Sequence, residues 1–283
     1  ALVPKFKVQS DMELWLKAIE WDKTIPPYSY KEDISFLSDV FAGLMEIPLT
    51  LSFPEFYVPR PGLEKQVINA LLDRKSAPYT LPNRGLVISG MGGIGKSTLI
   101  GASIQRAVTD FHLWDTFPSG IYHIDFEGMG LDQIFGNLAI DLDIIPTLQD
   151  STINLPPLIK KKLRDKSAVF VLDGIQSIYD VEKFLDVINS KTSFVIVATR
   201  LKFNQADQSR LFLEQLEIPE QFSWEEAKSV TLSITRTPLK NSDQGVFNKI
   251  YERVAGLPLA IVILAGLSSA TRLTWKTIEK SMM

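Results

Sequence analysis

The chain has 283 residues, roughly 1.9 domains at about 150 residues each, and its 45% hydrophobic and 22% charged content can build a real core, which excludes disorder as the main state. Lys and Arg number 30 against 33 Asp and Glu, a net charge of −3 that excludes a general binder of nucleic acid or anionic membrane, because both need a cationic surplus. With no cysteine there is no disulfide, thiolate metal site or cysteine nucleophile, and His112 and His123 have no zinc-like partner spacing.

In chain order, residues 1–57 form a segment of their own. Apolar residues at helical spacing predict helices over Asp11–Trp21 and Lys31–Ile47, separated by Pro26 and Pro27. Prolines 48, 54, 59 and 61 then mark an extended connection, helical spacing returns over Leu63–Leu72, and residues 76–85 read as a loop. From there short apolar runs alternate with helical stretches. Strands are predicted over Leu86–Ser89, Ile121–Asp125, Ala168–Leu172, Phe194–Ala198 and Phe212–Ile218, with helices starting near Gly95, Leu131, Leu155 and Val181. Strands joined by helix-length connections imply right-handed crossovers and a parallel, five-stranded α/β sheet over residues 58–219. Past residue 220 the strands stop. Ser223 and Glu226 form a capping box that opens a helix of about 12 residues, followed by helical spacing over Gln244–Ala255, Leu257–Ala270 and Thr274–Met283. Residues 220–283 are therefore expected to be a small all-helical domain.

The longest apolar stretch, Leu257–Leu267, has 11 residues against the roughly 20 a membrane span requires. The N-terminus lacks a basic-then-apolar leader pattern. These features and the absence of cysteine suit a cytoplasmic protein. The start without Met and the close at Ser281-Met282-Met283 read as those of an excised fragment.

Gly90-Met91-Gly92-Gly93-Ile94-Gly95-Lys96-Ser97-Thr98 matches the phosphate-loop pattern, between a predicted strand and a predicted helix. Glycines there let backbone N–H groups converge on phosphates, and the following helix N-terminus adds partial positive charge. Lys96 is expected at the β- and γ-phosphates, the Ser97 hydroxyl on Mg²⁺ and Thr98 at the α-phosphate. Asp173, closing an apolar strand, is the expected carboxylate for the Mg²⁺ hydration shell. Arg200 ends another strand, on the edge where α/β sheets bind ligands, and its guanidinium suits the γ-phosphate. The cluster Lys160–Arg164 and the five tryptophans read as a solvated helix face and as packing residues.

These motifs resemble the NB-ARC branch of the STAND signal-transduction ATPases, a branch that includes plant disease-resistance receptors and animal protease-activating factors. The resemblance covers about residues 55–275. It is carried by Gly90–Ser97, Phe117–Ile124, Val171-Leu172-Asp173-Gly174, Ala198-Thr199-Arg200, Leu216–Pro219 with Trp224–Ala227, and Ala255-Gly256-Leu257-Pro258-Leu259-Ala260. It implies ADP or ATP with Mg²⁺ as ligands, and Pro258 placed against the nucleotide from the helical domain. It also implies adenine held by backbone atoms of Val58 and Arg60, although Pro59 replaces the family's glycine there. Function by this resemblance is a signalling switch in innate immunity or programmed cell death. In it, exchange of ADP for ATP drives opening and self-association, with effector and sensor domains outside this chain and the family's winged-helix domain beyond its end.

Two departures shape the expectation. Gly174 stands where the family has a second acid that activates water, so hydrolysis is expected to be very slow, a weak ATPase at most with Lys96, Asp173 and Arg200 as its machinery. Asp125 ends the second strand, expected two places from the site and too far away to substitute; neither His112 nor His123 is expected near the phosphates. The competing readings are an ordinary P-loop ATPase or kinase with a second substrate, and a scaffold with a structural nucleotide.

Overall fold

In the computed structural model the chain divides into two units, Ala1–Ile47 and Pro48–Met283. The structure describes residues 51, 57–72, 85–144, 154–188 and 192–282, all in the second unit. The helices expected over Asp11–Trp21 and Lys31–Ile47 lie outside the described residues.

The described chain runs α1 (Pro61–Leu72), β1 (Gly85–Ser89), α2 (Lys96–Phe111), α3 (Leu113–Thr116), β2 (Ile121–Asp125), α4 (Leu131–Asp141), α5 (Leu155–Leu163), β3 (Val169–Ile175) and α6 (Ile178–Leu185). It continues through β4 (Phe194–Thr199), α7 (Gln205–Leu211), β5 (Leu213–Glu217), α8 (Trp224–Thr235), α9 (Asn241–Arg253), α10 (Pro258–Thr271) and α11 (Trp275–Ser281). The five strands form one parallel sheet in the order β2-β3-β4-β1-β5. Burial follows that order. Every residue of β1 and β4 is buried, as strands covered on both faces require, whereas the edge strands β2 and β5 are each buried at only two of five positions.

One face of the sheet is sealed by a group of phenylalanines. The Phe184 ring on α6 sits 5.7 Å from that of Phe170 on β3, and 6.4 Å from those of Phe126 and Phe135. Phe126 directly follows β2, so this cluster supports the loop at that strand's C-terminal end.

The helical part begins at the expected capping box: Ser223 Oγ accepts from the Glu226 amide at 3.2 Å, and the Glu226 carboxylate accepts from the Ser223 amide at 2.6 Å. Its core joins Val230, Phe247, Ile250, Ile261, Trp275 and Ile278, with Phe247 and Trp275 rings meeting edge-on at 4.9 Å. Pro258 occupies the first turn of α10, where its missing N–H has no helical partner to lose.

Two elements were not expected, α3 and α7. Both are short, four and seven residues, and too brief to show a period. The predicted fifth strand also starts one residue late, because Phe212 is the left-handed cap of α7 with φ of 56°. β3 runs on past Leu172 to Ile175, with a register shift against β4 between those two residues.

Candidate functional site

The C-terminal end of β1 meets the phosphate-loop sequence at the middle of the sheet, flanked by β4 and β5. Gly93 and Gly95 hold φ of 76° and 94°, conformations that favour glycine, and α2 starts directly after Gly95. The Lys96 ammonium folds back over the loop and donates to the carbonyls of Gly90 and Met91, each at 2.9 Å. Burial draws this ammonium below the ordinary lysine range, Asp173 opposes that, and Arg200 adds to it.

Ser97 donates its hydroxyl to Asp173 Oδ2 at 2.5 Å, which joins the start of α2 to β3 across the intervening β4. Asp173 Oδ1 accepts the Gly174 amide at 2.8 Å. Burial pushes the Asp173 carboxyl up, but bonds from His123, Ser97 and Gly174 outweigh it and hold the group below the usual range. A hydroxyl and a carboxylate side by side are an oxygen-only donor set of the kind a hard divalent cation takes.

Arg200 leaves the end of β4 and lies over the loop. A Cβ at Gly92 would sit 2.9 Å from its guanidinium, so only glycine lets the arginine lie this close. From the helical part, Leu259 meets the loop on another side: a Cβ at Gly93 would be 2.8 Å from the Leu259 Cβ.

A cavity of about 790 Å³ brings most of the expected residues together. Val58, Arg60, Gly92, Gly93, Ile94, Gly95, Lys96, Ser97, Thr98, Asp173, Arg200 and Pro258 all line it. Gly90 does not; it borders a second, smaller cavity and contributes the carbonyl that Lys96 holds.

The segment 57–60 departs from expectation at Arg60. Its N–H donates to Glu64 at 2.8 Å, and its carbonyl accepts from the amides of Leu63 and Glu64 at 2.9 Å. Its backbone is therefore spent on opening α1 rather than left for adenine. The guanidinium is engaged as well, with Glu226 at 2.8 Å and over the Phe222 ring at 4.8 Å, which ties the segment to the helical part.

Glu64 is the anchor of this arrangement. It is only 3% exposed, yet it accepts from Tyr57 Oη at 2.6 Å, the Arg60 amide and Arg106 of α2 at 3.0 Å. Burial pushes its carboxyl up, but the three donors together pull it below the usual range. A lowered folded-state pKa lends stability above the unfolded-state value of about 4.3, and that stability is lost as pH falls through the folded-state value. Glu64→Gln is expected to cost about 1–3 kcal/mol at pH 7 by urea denaturation. Below pH 4 the gap from wild type should close; a gap that stays constant with pH would contradict the ionised pairing.

The largest correction concerns Asp125, expected too far from the site to take part. β3 and β4 do separate β2 from β1, but β2 pairs with β3 and Asp125 is in register with Asp173. Asp125, Glu127 and His123 all line the same cavity. His123 Nε2 is 3.8 Å from Asp173 Oδ2, a placement beside the carboxylate that the sequence did not suggest. His112, in contrast, caps α2 in a left-handed conformation. Nothing local in the sequence reveals these three residues; only the strand order brings them in. Tyr57, Phe222 and Val262 also line the cavity unforeseen.

No family model matches the sequence, and no curated protein does. Similar chains are found among solved structures. One comes from Drosophila ORC bound to DNA, at 12% identity and a TM-score of 0.50, covering 98% of this chain and 73% of that one. Another is C. elegans PCH-2, at 15% identity and a TM-score of 0.47, covering 80% of this chain and 68% of that one. At such identities the likeness is one of fold, and the first of the two carries it. The chain has the P-loop nucleoside triphosphatase fold, a parallel five-stranded α/β sheet followed by a helical part. Among the described residues no helix is long and apolar enough to cross a membrane.

Proposed function

We propose that this chain is an adenine-nucleotide switch module of STAND type, in which the nucleotide in the phosphate loop governs how the helical part is seated. In this reading residues 58–219 are the nucleotide-binding domain, 220–283 the first helical domain, and 1–57 a linker or adjoining segment. The loop amides and Lys96 take the phosphates, Ser97 and Asp173 hold Mg²⁺, and Arg200 stands where a γ-phosphate would lie. Val58 and Pro258 border the base. Self-association and attached effector and sensor segments belong to the same reading, and rest on the sequence resemblance of the motifs around Gly90, Asp173, Arg200 and Pro258.

The observation that supports it most is the seating of Leu259 against Gly93. A side chain of α10 in van der Waals contact with the phosphate loop makes loop shape and helix position interdependent. A switch needs that coupling, because nucleotides shift a conformational equilibrium only by their difference in affinity for the two states. A scaffold or a simple two-substrate enzyme does not need it.

Leu259 is 48% exposed, so Leu259→Ala tests the coupling without opening the core. Calorimetry with ADP and ATP should show the ratio of the two affinities changing by about fivefold or more in the variant, the low end of typical coupling energies. Equal effects on both nucleotides would favour the scaffold reading.

A further inference from the structure

Cleavage of a phosphoanhydride by water needs a group that orients the water and accepts its proton. Asp173 is committed to Ser97 and the Gly174 amide, and Gly174 has no side chain. The backbone there explains the glycine. With φ of 75°, a Cβ at 174 would lie 3.1 Å from the Glu127 amide nitrogen and 3.3 Å from the Glu127 Cβ. The side chain of Glu127 thus begins beside the position a side chain at 174 would take. It is exposed and borders the cavity that Lys96, Ser97 and Asp173 line.

The turn that carries Glu127 is held in place. The Phe126 amide donates to the Asp173 carbonyl at 2.8 Å, continuing the ladder one residue past β2. The Glu127 amide donates to Asp125 Oδ1 at 2.8 Å, and the Phe126 ring is buried against Phe184. Such support is what a reacting group requires, because a misplacement of about 1 Å is costly in rate.

We propose that Glu127 is the catalytic carboxylate of this site and that Asp125 is its positioning residue. The inference rests on the nucleotide-binding reading above. The Glu127 carboxylate takes a proton from water as the water oxygen bonds to the γ-phosphorus of ATP. The bond from that phosphorus to the β,γ-bridging oxygen breaks, and ADP and inorganic phosphate leave. The acid missing from the end of β3 is thereby supplied by the neighbouring strand's loop, and the positive φ at 174, with that loop packed against it, favours glycine there.

The test uses the full chain with Mg²⁺ and three readouts: calorimetric ADP affinity, single-turnover ATP cleavage, and thermal unfolding with ADP alone or with ADP and aluminium fluoride. Aluminium fluoride mimics the transferring phosphoryl group with water in line, so its added stabilisation reports the water-orienting group without any turnover. Glu127→Gln should keep ADP affinity within about threefold of wild type, cleave ATP about 10²–10⁴-fold more slowly, and lose the fluoride-dependent stabilisation. Asp125→Ala, which removes the acceptor of the Glu127 amide, should show the same two losses in smaller measure, and Asp125→Asn, which keeps an Oδ1 acceptor, should restore both readouts. Wild-type cleavage or retained fluoride stabilisation in Glu127→Gln overturns the assignment, as does a larger loss in Asp125→Ala than in Glu127→Gln. A wild type that binds ADP but gains nothing from aluminium fluoride also overturns it. A wild type that binds no ADP overturns the nucleotide reading itself, a separate and recognisable result.

Discussion

Lys96→Ala is expected to lower affinity for ATP by at least about 100-fold and for ADP by at least about tenfold. A charge-assisted hydrogen bond contributes about 1.5–3 kcal/mol, and the proposed site sets the ammonium against the β- and γ-phosphates of ATP, so roughly 3–6 kcal/mol is at stake there and about half of that with ADP. The lysine is well placed for it. It sits at the first position of α2, among loop amides, and is drawn off water by burial. Its own bonds to the Gly90 and Met91 carbonyls are to groups at the surface of the loop, so their loss should change folding little. Calorimetry checks the affinity and urea denaturation the fold. Wild-type affinity in a folded Lys96→Ala chain would remove the phosphate loop from the site.

The second large effect is on stability and comes from the phenylalanine cluster packed on β3. Phe184→Ala should cost about 3–5 kcal/mol, the range for truncating a buried phenylalanine, against a total of about 5–15 kcal/mol for a typical domain. Phe184 is fully buried and meets three other phenylalanine rings, so truncation leaves a hole lined in part by rigid rings. One of those rings belongs to Phe126, between Asp125 and Glu127. The variant should therefore also lose ATP cleavage beyond what unfolding explains, measured well below its melting temperature. A stability loss under about 1 kcal/mol would show that the cluster relaxes.

Segment 57–60 shows why a motif can be found and its role still missed. Val58 and Arg60, which the family resemblance put at the adenine, do line the cavity. What the sequence could not show is the claim of Glu64 on the Arg60 amide, or of Glu226, 166 positions along the chain, on its guanidinium. Both depend on which helices end up adjacent.

The features that the sequence alone determined are those held by neighbours in the chain. Glycines at left-handed positions and a lysine opening α2 make the phosphate loop; Ser223 and Glu226 cap α8; apolar runs ending at Asp173 and Arg200 make buried strands. Each needs only a few consecutive residues, and so each is legible. The strand order is different in kind. Any of several parallel arrangements buries the same apolar runs, and the choice depends on how the crossover helices pack. That choice put β2 beside β3, brought Asp125, Glu127 and His123 to Asp173, and turned Gly174 from a missing acid into the space Glu127 needs.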